Sequence, residues 1–407
     1  MKLGPQFEAA GCRRWSNSVW LLTAALVMVI PLYAQNARVF REGNSWVEES
    51  TGSLPAGREF RAFTDLGSVQ VQGNAAQVSY VVRKRSFAGS EVLARKQFAQ
   101  WRVSANRAGD AVVLESRLSG GNLNRLTADI AVQIPRQTQV VKVETRGGSL
   151  SFNAIAGSVI GVTGGGNVKV DDVSGTVKIT SGGGIIEAGS VGSDLYLQNG
   201  GGNVSVERVN GQVTVKTGGG RVRIGTSGGT SVETGAGNIE VSKCNGDLHA
   251  NSGGGNLSLG DVTGSVLAET NAGSVRLASA QGKVRVITGG GMVELLKVGQ
   301  SAQVETGSGA ITVQFVPGHN HFQDSFLHTA VGDVVVYLPA NLGVNVRAST
   351  ELANGKGIIS AFPGLNITTE GGNYGPKSMY AEGLLNGGGP VLRLRTTIGQ
   401  IDIRRSQ

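Results

Sequence analysis

Glycine returns at a fixed interval through the middle of this chain, and that return restricts the fold more than any other feature. The second glycine of a Gly-Gly pair falls at Gly148, Gly166, Gly184, Gly202 and Gly220, and the column continues through Gly237, Gly255, Gly273, Gly291 and Gly309. The steps share a period of 18, except that from Gly220 to Gly237, which is shorter by a single position. Self-similarity at a short fixed period marks a repeat architecture, in which each unit buries its apolar side against the next.

Two residues after these glycines comes an apolar pair at i, i+2, as in Val168/Val170, Ile186/Ala188, Val204/Val206, Val222/Ile224, Leu257/Leu259 and Val293/Leu295. The residue between is polar or charged in most units, for example Lys169, Ser205, Arg223, Glu240 and Arg276. Such alternation describes a strand with one buried face. A second strand follows in most units, at Val177/Ile179, Leu195/Leu197, Val213/Val215, Leu248/Ala250, Val266/Ala268 and Val284/Val286. Two short strands and two turns per repeat fit one coil of a flattened solenoid, with equivalent strands stacked ~4.8 Å apart.

The alternative is a meander of antiparallel hairpins, and vertical identity separates the two. A solenoid stacks each coil position in one file. Thr145, Thr163, Ser181, Asn199, Thr217, Thr234, Ser252, Thr270, Thr288 and Thr306 form one such file. Asn167, Asn203, Asn238 and Asn256 form another, where Asn tolerates left-handed backbone and can ladder with its neighbours. A third runs Ile155, Val173, Val191, Val209, Cys244, Val262, Ala280, Val298 and Val316. Cys244 stands where Val stands elsewhere and is expected to be a buried, inert thiol. The fold expected is all-β: a flattened β-solenoid, parallel β-helix-like, with 18-residue coils of two short strands, capped by irregular β segments at both ends.

Composition agrees. Glycine is 64 of 407 residues, aromatics are 5% and charged residues 16%, a balance that excludes helical bundles and coiled coils. An apolar fraction of 40% suffices for a core. The termini carry other signals. Lys2, Arg13 and Arg14 precede an apolar run from Val19 to Ile30, and Leu32-Tyr33-Ala34 offers a small-residue exit, so residues 1–34 read as a signal peptide cleaved after Ala34. The run is short for an uncleaved membrane span, and Pro31 closes it. Loss of Lys2, Glu8, Arg13 and Arg14 would bring the formal charge from +8 to +6 and leave Cys244 as the mature chain's cysteine, with no internal disulfide.

Residues 35–140 leave the repeat rhythm and read as an N-terminal β cap with one helix near Ser90–Trp101. Residues 141–316 are the regular repeats. Residues 317–407 read as irregular coils and closing strands: the next equivalent glycine after Gly309 is Gly332, later than the period allows, so extra residues sit in a loop near Pro317–His328. Val334/Val336 resume the pattern, 341–390 is looser, and Ile401/Ile403 after Gly399 read as a last coil. An open solenoid end exposes apolar strands and unpaired edges, hence the need for caps.

The Ile130–Pro135 strand, the Thr-Gly-Gly-Gly-Asn-Val repeats, the Gly332-Asp333-Val334 to Leu338-Pro339 segment and the closing Gly387-Gly388-Gly389-Pro390 to Ile401-Asp402-Ile403 together resemble the bacterial putative-adhesin family of β-strand-repeat domains of unknown function. The similarity covers most of 36–407. It implies an exported, envelope-associated β-solenoid and supplies no catalytic residues.

Chemistry-bearing clusters are sparse. Parallel β-helices also host polysaccharide lyases and hydrolases, which need clustered carboxylates. Glu187, Glu240 and Glu294 share a phase but lie three coils apart, and Asp171 and Glu207 lie two apart. His319-Asn320-His321, with Asp324 and His328 nearby, is the densest ligand set, but it sits in a loop with no third ligand fixed by spacing, so an exposed polar loop is expected there and no metal site. The Gly164-Gly165-Gly166 turns lack the Lys-Ser/Thr and helix of a phosphate loop. Lys169, Lys178, Lys216, Arg221 and Arg223 could form a basic stripe, but without interleaved aromatics it is no nucleic-acid platform.

The expected function is therefore that of a non-enzymatic, adhesin-like envelope protein, exported to the periplasm, outer envelope or cell exterior. It would present a repetitive surface to an envelope component, glycan or protein, without cofactor, nucleic acid or a membrane span in the mature chain. A carbohydrate-active β-helix enzyme is the alternative, and self-association the third reading.

Overall fold

The computed structural model describes residues 36–120, 126–316, 322–371 and 377–406. The leader at 1–34 and the His319/His321 pair lie outside the described residues. Strand pairing decides the architecture. Leu150–Ile155, Val168–Val173, Ile186–Val191 and Val204–Val209 pair in parallel, one after another, while Ser158–Thr163, Val177–Ser181, Leu195–Asn199 and Gln212–Thr217 pair in a second parallel series. Successive strands of the chain thus belong to alternate faces, and each coil contributes one strand to each face. Val168, Ile186 and Val204 are consecutive register partners and are fully buried, so the inward file runs as the periodicity requires. This is an open stack of parallel strands around a dry interior, a flattened β-solenoid.

Two polar devices join the coils. The Thr/Ser file faces inward. Thr163 Oγ1 donates to the carbonyl of Gly148 at 2.7 Å, Thr270 to Gly255 at 2.9 Å and Thr288 to Gly273 at 3.0 Å, each reaching back to the preceding coil. A buried hydroxyl is thereby satisfied, and so is a turn carbonyl left over by the ladder. The glycines occupy the same joint. A Cβ on Gly255 would collide with the carbonyl oxygen of Gly237, and the same holds at Gly166 over Gly148 and Gly309 over Gly291. The file is glycine because successive turns touch backbone to backbone there.

The Asn file works differently from the expectation. Asn167, Asn203, Asn238 and Asn256 do not take left-handed backbone. Each turns its Oδ1 to the backbone N–H one coil on, as Asn167 does to Ile185 at 2.9 Å and Asn238 to Asn256 at 2.9 Å. At the opposite turn Asp194 and Asp247 accept from the amides of Gln212 and Ser265 in the same way. The side chain thus supplies an acceptor where the chain leaves its strand and the regular ladder stops.

The third file holds Cys244, which is fully buried with no disulfide, its Sγ 3.4 Å from the carbonyl oxygens of Gly246 and Asp247. Ser227 fills the place between Val209 and Cys244, in the coil that is shorter than the rest. The missing position is at the turn after Ser227, whose Oγ pairs with Thr230 Oγ1 at 2.6 Å. The far end of the file needs correction: Val298 faces Phe315, not Val316, because the register shifts after Leu295.

Both ends break the order of the chain while keeping the stack. Glu59–Thr64 and Ser68–Gly73 form a coil inserted between the one containing Ala111–Leu118 and Leu126–Ile134 and the one containing Val140–Thr145 and Leu150–Ile155. At the other end Val391–Arg405 runs through both faces, between the coil of Ser325–Val331 and Val334–Leu338 and the long strand Val344–Ser360. The segment 341–360, expected to be loose, is instead a coil of the stack, and Ile401/Ile403 lie one layer inside it. The Thr–Gly joint persists here: Thr396 donates to Gly332 at 2.9 Å and Thr350 to Gly399 at 3.0 Å. Antiparallel strands complete the caps, Ser45–Leu54 and Val78–Ser86 at one end and Asn366–Glu370 and Ser378–Leu385 at the other.

The helix Glu91–Ala99 starts at Ser90, whose hydroxyl accepts from the Leu93 amide, and it buries Ala94 and Phe98 with Trp101, Leu126 and Ala128. Trp101 Nε1 donates to Ser116 Oγ at 2.7 Å, and the buried Lys84 ammonium donates to Glu48 and to the Trp101 carbonyl. This cluster is a second small core at the N-terminal end.

Candidate functional site

With inward positions committed to packing, chemistry is confined to the outward files. On the face carrying Val168, one file reads Lys169, Glu187, Ser205, Arg223, Glu240, Ser258, Arg276, Glu294. Glu187 and Glu240 are three coils apart, as are Glu240 and Glu294. Arg223 sits 3.0 Å from Glu240, and Arg276 3.1 Å from Glu294. The Glu240 and Glu294 carboxylates are paired to cations, not to one another.

Asp171, Glu187 and Glu207 do line one notch of about 280 Å³, with Gly189 in its floor. Asp171 Oδ1, however, is held by the amides of Asp172 and Ser190 at 2.9 and 3.1 Å. Asp171 therefore braces a turn. Among the described residues no group of three or more His, Cys, Asp or Glu side chains is arranged to hold a metal ion.

The basic residues do not gather into a stripe. Lys169 and Arg223 stand on one face, Lys178 and Lys216 on the other, and Lys216 is paired with Glu233 at 2.9 Å. In the Gly164–Gly166 turn the amides of Gly165 and Gly166 point to Thr163 Oγ1, so they are not free to cradle a phosphate. Near the N-terminal cap, the hydrogen bond from Arg61 holds the Glu59 carboxyl below its ordinary value. That pair is exposed and ties two positions of one strand.

One cavity is a site that sequence reasoning missed. It occupies the C-terminal end of the face carrying Val177, with a volume of about 740 Å³. Register brings its residues together. Arg393 lies between Phe326 and Arg347 on adjacent strands, and Arg395 lies between His328 and Ser349. Beyond them the antiparallel strands add Tyr380 opposite Ser349, then Thr368 opposite Tyr380. Phe326 and His328 stack at 5.9 Å between centroids. Arg347 is 3.4 Å from Glu382, and Arg395 is 2.6 Å from Glu351. Arg393, exposed between them, has no ion-pair or hydrogen-bond partner among the described residues. Phe326 and Arg393 stand far apart in the chain and off the repeat period, so neither spacing nor periodicity could have joined them.

No family model matches the sequence, and no curated protein matches it. Solved structures do. One is described as a putative cell adhesion protein from Clostridium sporogenes, at 12% identity, covering 88% of this chain and 100% of that one, with a TM-score of 0.20. A putative adhesin from Bacteroides fragilis matches at 13% identity over 66% of this chain and 97% of its own, with a TM-score of 0.24. A putative lipid binding protein from Parabacteroides distasonis matches at 12% over 73% and 98%, with a TM-score of 0.27. The adhesin descriptions agree with the resemblance seen in the sequence. At such scores they assign neither fold nor function to this chain, whose architecture rests on its own register and burial. Among the described residues no helix is long and apolar enough to cross a membrane.

Proposed function

We propose that this chain is a non-enzymatic, exported envelope protein whose β-solenoid presents a repetitive outer surface for binding or assembly. One observation carries the reading. Outward positions stack in files along a stiff backbone; in those files Glu240 and Glu294 are paired with arginines, and Asp171, in the notch it shares with Glu187 and Glu207, is held by backbone amides. An acid–base pair for glycoside chemistry needs two carboxyl groups ~5–10 Å apart and free to act. Repeated weak contacts along a rigid face suit binding, since tethered contacts reinforce one another. Export rests on the leader at 1–34, and the mild positive charge favours anionic envelope surfaces.

The test is a glycan and envelope-component array probed with the purified full chain, alongside fractionation of cells that express it. Retention of an envelope component and recovery outside the cytoplasm, with the leader removed, is the expected result. Cytoplasmic protein with its leader intact, or turnover of a polysaccharide on the array, would overturn the reading.

A further inference from the structure

The trough at the C-terminal end places like charges where the fold gains nothing from them. Arg393 and Arg347 are direct register partners on neighbouring strands, ~4.8 Å apart at the ladder spacing. Like charges directly opposite one another destabilise a sheet. Arg347 is paired with Glu382, and Arg395 beside it with Glu351, but both pairs are solvent-exposed and offset little of this. The same outward file also sets Arg61 opposite Lys142 near the N-terminal end, but there Glu59 bonds Arg61 from its own strand, whereas Arg393 has no such neighbour among the described residues. A guanidinium with no partner among the described residues, flanked by two more, is an arrangement waiting for an anion, and the planar fork of arginine matches a carboxylate with two parallel hydrogen bonds.

We infer that this trough binds an acidic oligosaccharide, a chain of uronate-type sugars, with one sugar carboxylate seated on Arg393. This deepens the proposed binding function and rests on it. Three further features select the ligand class. Phe326 and Tyr380 stand three strands apart in the trough, ~14 Å at the ladder spacing, and offer ring faces on which the C–H faces of sugars stack. Ser349, Thr368 and Asn366 line the same cavity with hydroxyl and amide groups for sugar hydroxyls. Glu370 and Glu382 also line it. They accept hydrogen bonds from hydroxyls and repel a densely charged polymer, which sets a spaced carboxylate chain apart from polyphosphate or nucleic acid. The trough crosses strands, and an extended saccharide advances per residue by a distance close to the strand spacing, so each sugar meets a fresh strand.

Calorimetric titration of the full chain with oligogalacturonate, with its methyl ester, and with phosphatidylglycerol vesicles tests the assignment. The acid form should bind, and the ester at least ~10-fold more weakly, as expected for loss of a charge-assisted pair. Arg393→Gln should weaken binding of the acid form by a similar ~10-fold while its thermal midpoint stays level or rises. Tyr380→Ala provides an independent second loss, and Arg223→Gln, on the other face, should bind as the unaltered chain does. Equal binding of acid and ester, or unchanged affinity in both trough variants, overturns the proposal. So does binding to vesicles but not to saccharide, which would reassign the trough to phosphate headgroups. If the array yields a ligand that Arg393→Gln and Tyr380→Ala still hold, the trough assignment falls and the broader binding function stands. If the unaltered chain binds nothing on either assay, both fall.

Discussion

The middle of the stack and its two ends use the same joint but obtain it differently. Between Gly148 and Gly309 each glycine turn rests on the one a single period earlier, whereas Gly148 rests on Gly67 and Gly399 on Gly332. Thr270 reaches a carbonyl 15 residues back, while Thr350 reaches one 49 residues ahead. A backbone contact cannot tell which part of the chain supplies it. Periodicity in sequence is thus one way of writing this solenoid, and insertion of distant segments is another.

The largest effect that separates the regions is a charge placed inside. Val204→Asp, in a central coil with no space or partner for a carboxylate, should cost on the order of 3–5 kcal/mol and abolish soluble expression. Val331→Asp, at a half-exposed strand end near the C-terminal cap, should leave folding intact. Folded, soluble Val204→Asp protein would contradict the inward assignment.

Next comes the glycine joint. Gly255→Ala drives a methyl into the Gly237 carbonyl, and Gly148→Ala into that of Gly67, so both should lower stability by ~1–3 kcal/mol in denaturant melts. Gly254→Ala meets open space and should lie between no change and a gain of about 1 kcal/mol. A silent Gly148→Ala beside a costly Gly255→Ala would mean that the end only imitates the middle.

A smaller change should stabilise. Asn199 replaces Thr in the buried polar file, and its Oδ1 has no hydrogen-bond partner among the described residues, although Nδ2 reaches Gly184 at 3.0 Å. Asn199→Thr removes that orphan and should raise stability by about 1 kcal/mol, read as a higher thermal midpoint. Least of all, Lys169→Ser on the outer face should shift stability by no more than about 0.5 kcal/mol.

The coils were legible because burial with period two and stacking with period 18 leave separate marks on the sequence, and Val168, Ile186 and Val204 carry both. The Thr and Gly files were equally plain. What they do was not: a hydroxyl bonded to the preceding turn looks the same in sequence as one bonded to solvent. The ends were harder. Thr64, Ser116, Thr350 and Thr396 belong to the same inward file as Thr163, but they come to it by parallel pairing out of chain order. Arg347, Arg393 and Tyr380 were invisible as a group for a related reason: antiparallel pairing brings Tyr380 beside the strand of Arg347, and the insertion of Val391–Arg405 brings Arg393 to its other side.

That insertion also sets the timing of folding. Central layers can form from chain that has just been made, because each needs only its immediate predecessor. The layer between Gly332 and the strand Val344–Ser360 stays vacant until Val391–Arg405 arrives, and contacts at such long sequence separation are the slow ones. Until then the growing stack ends in bare, ladder-ready backbone, which is the interval in which a layer from a second molecule could take the empty place and link two chains.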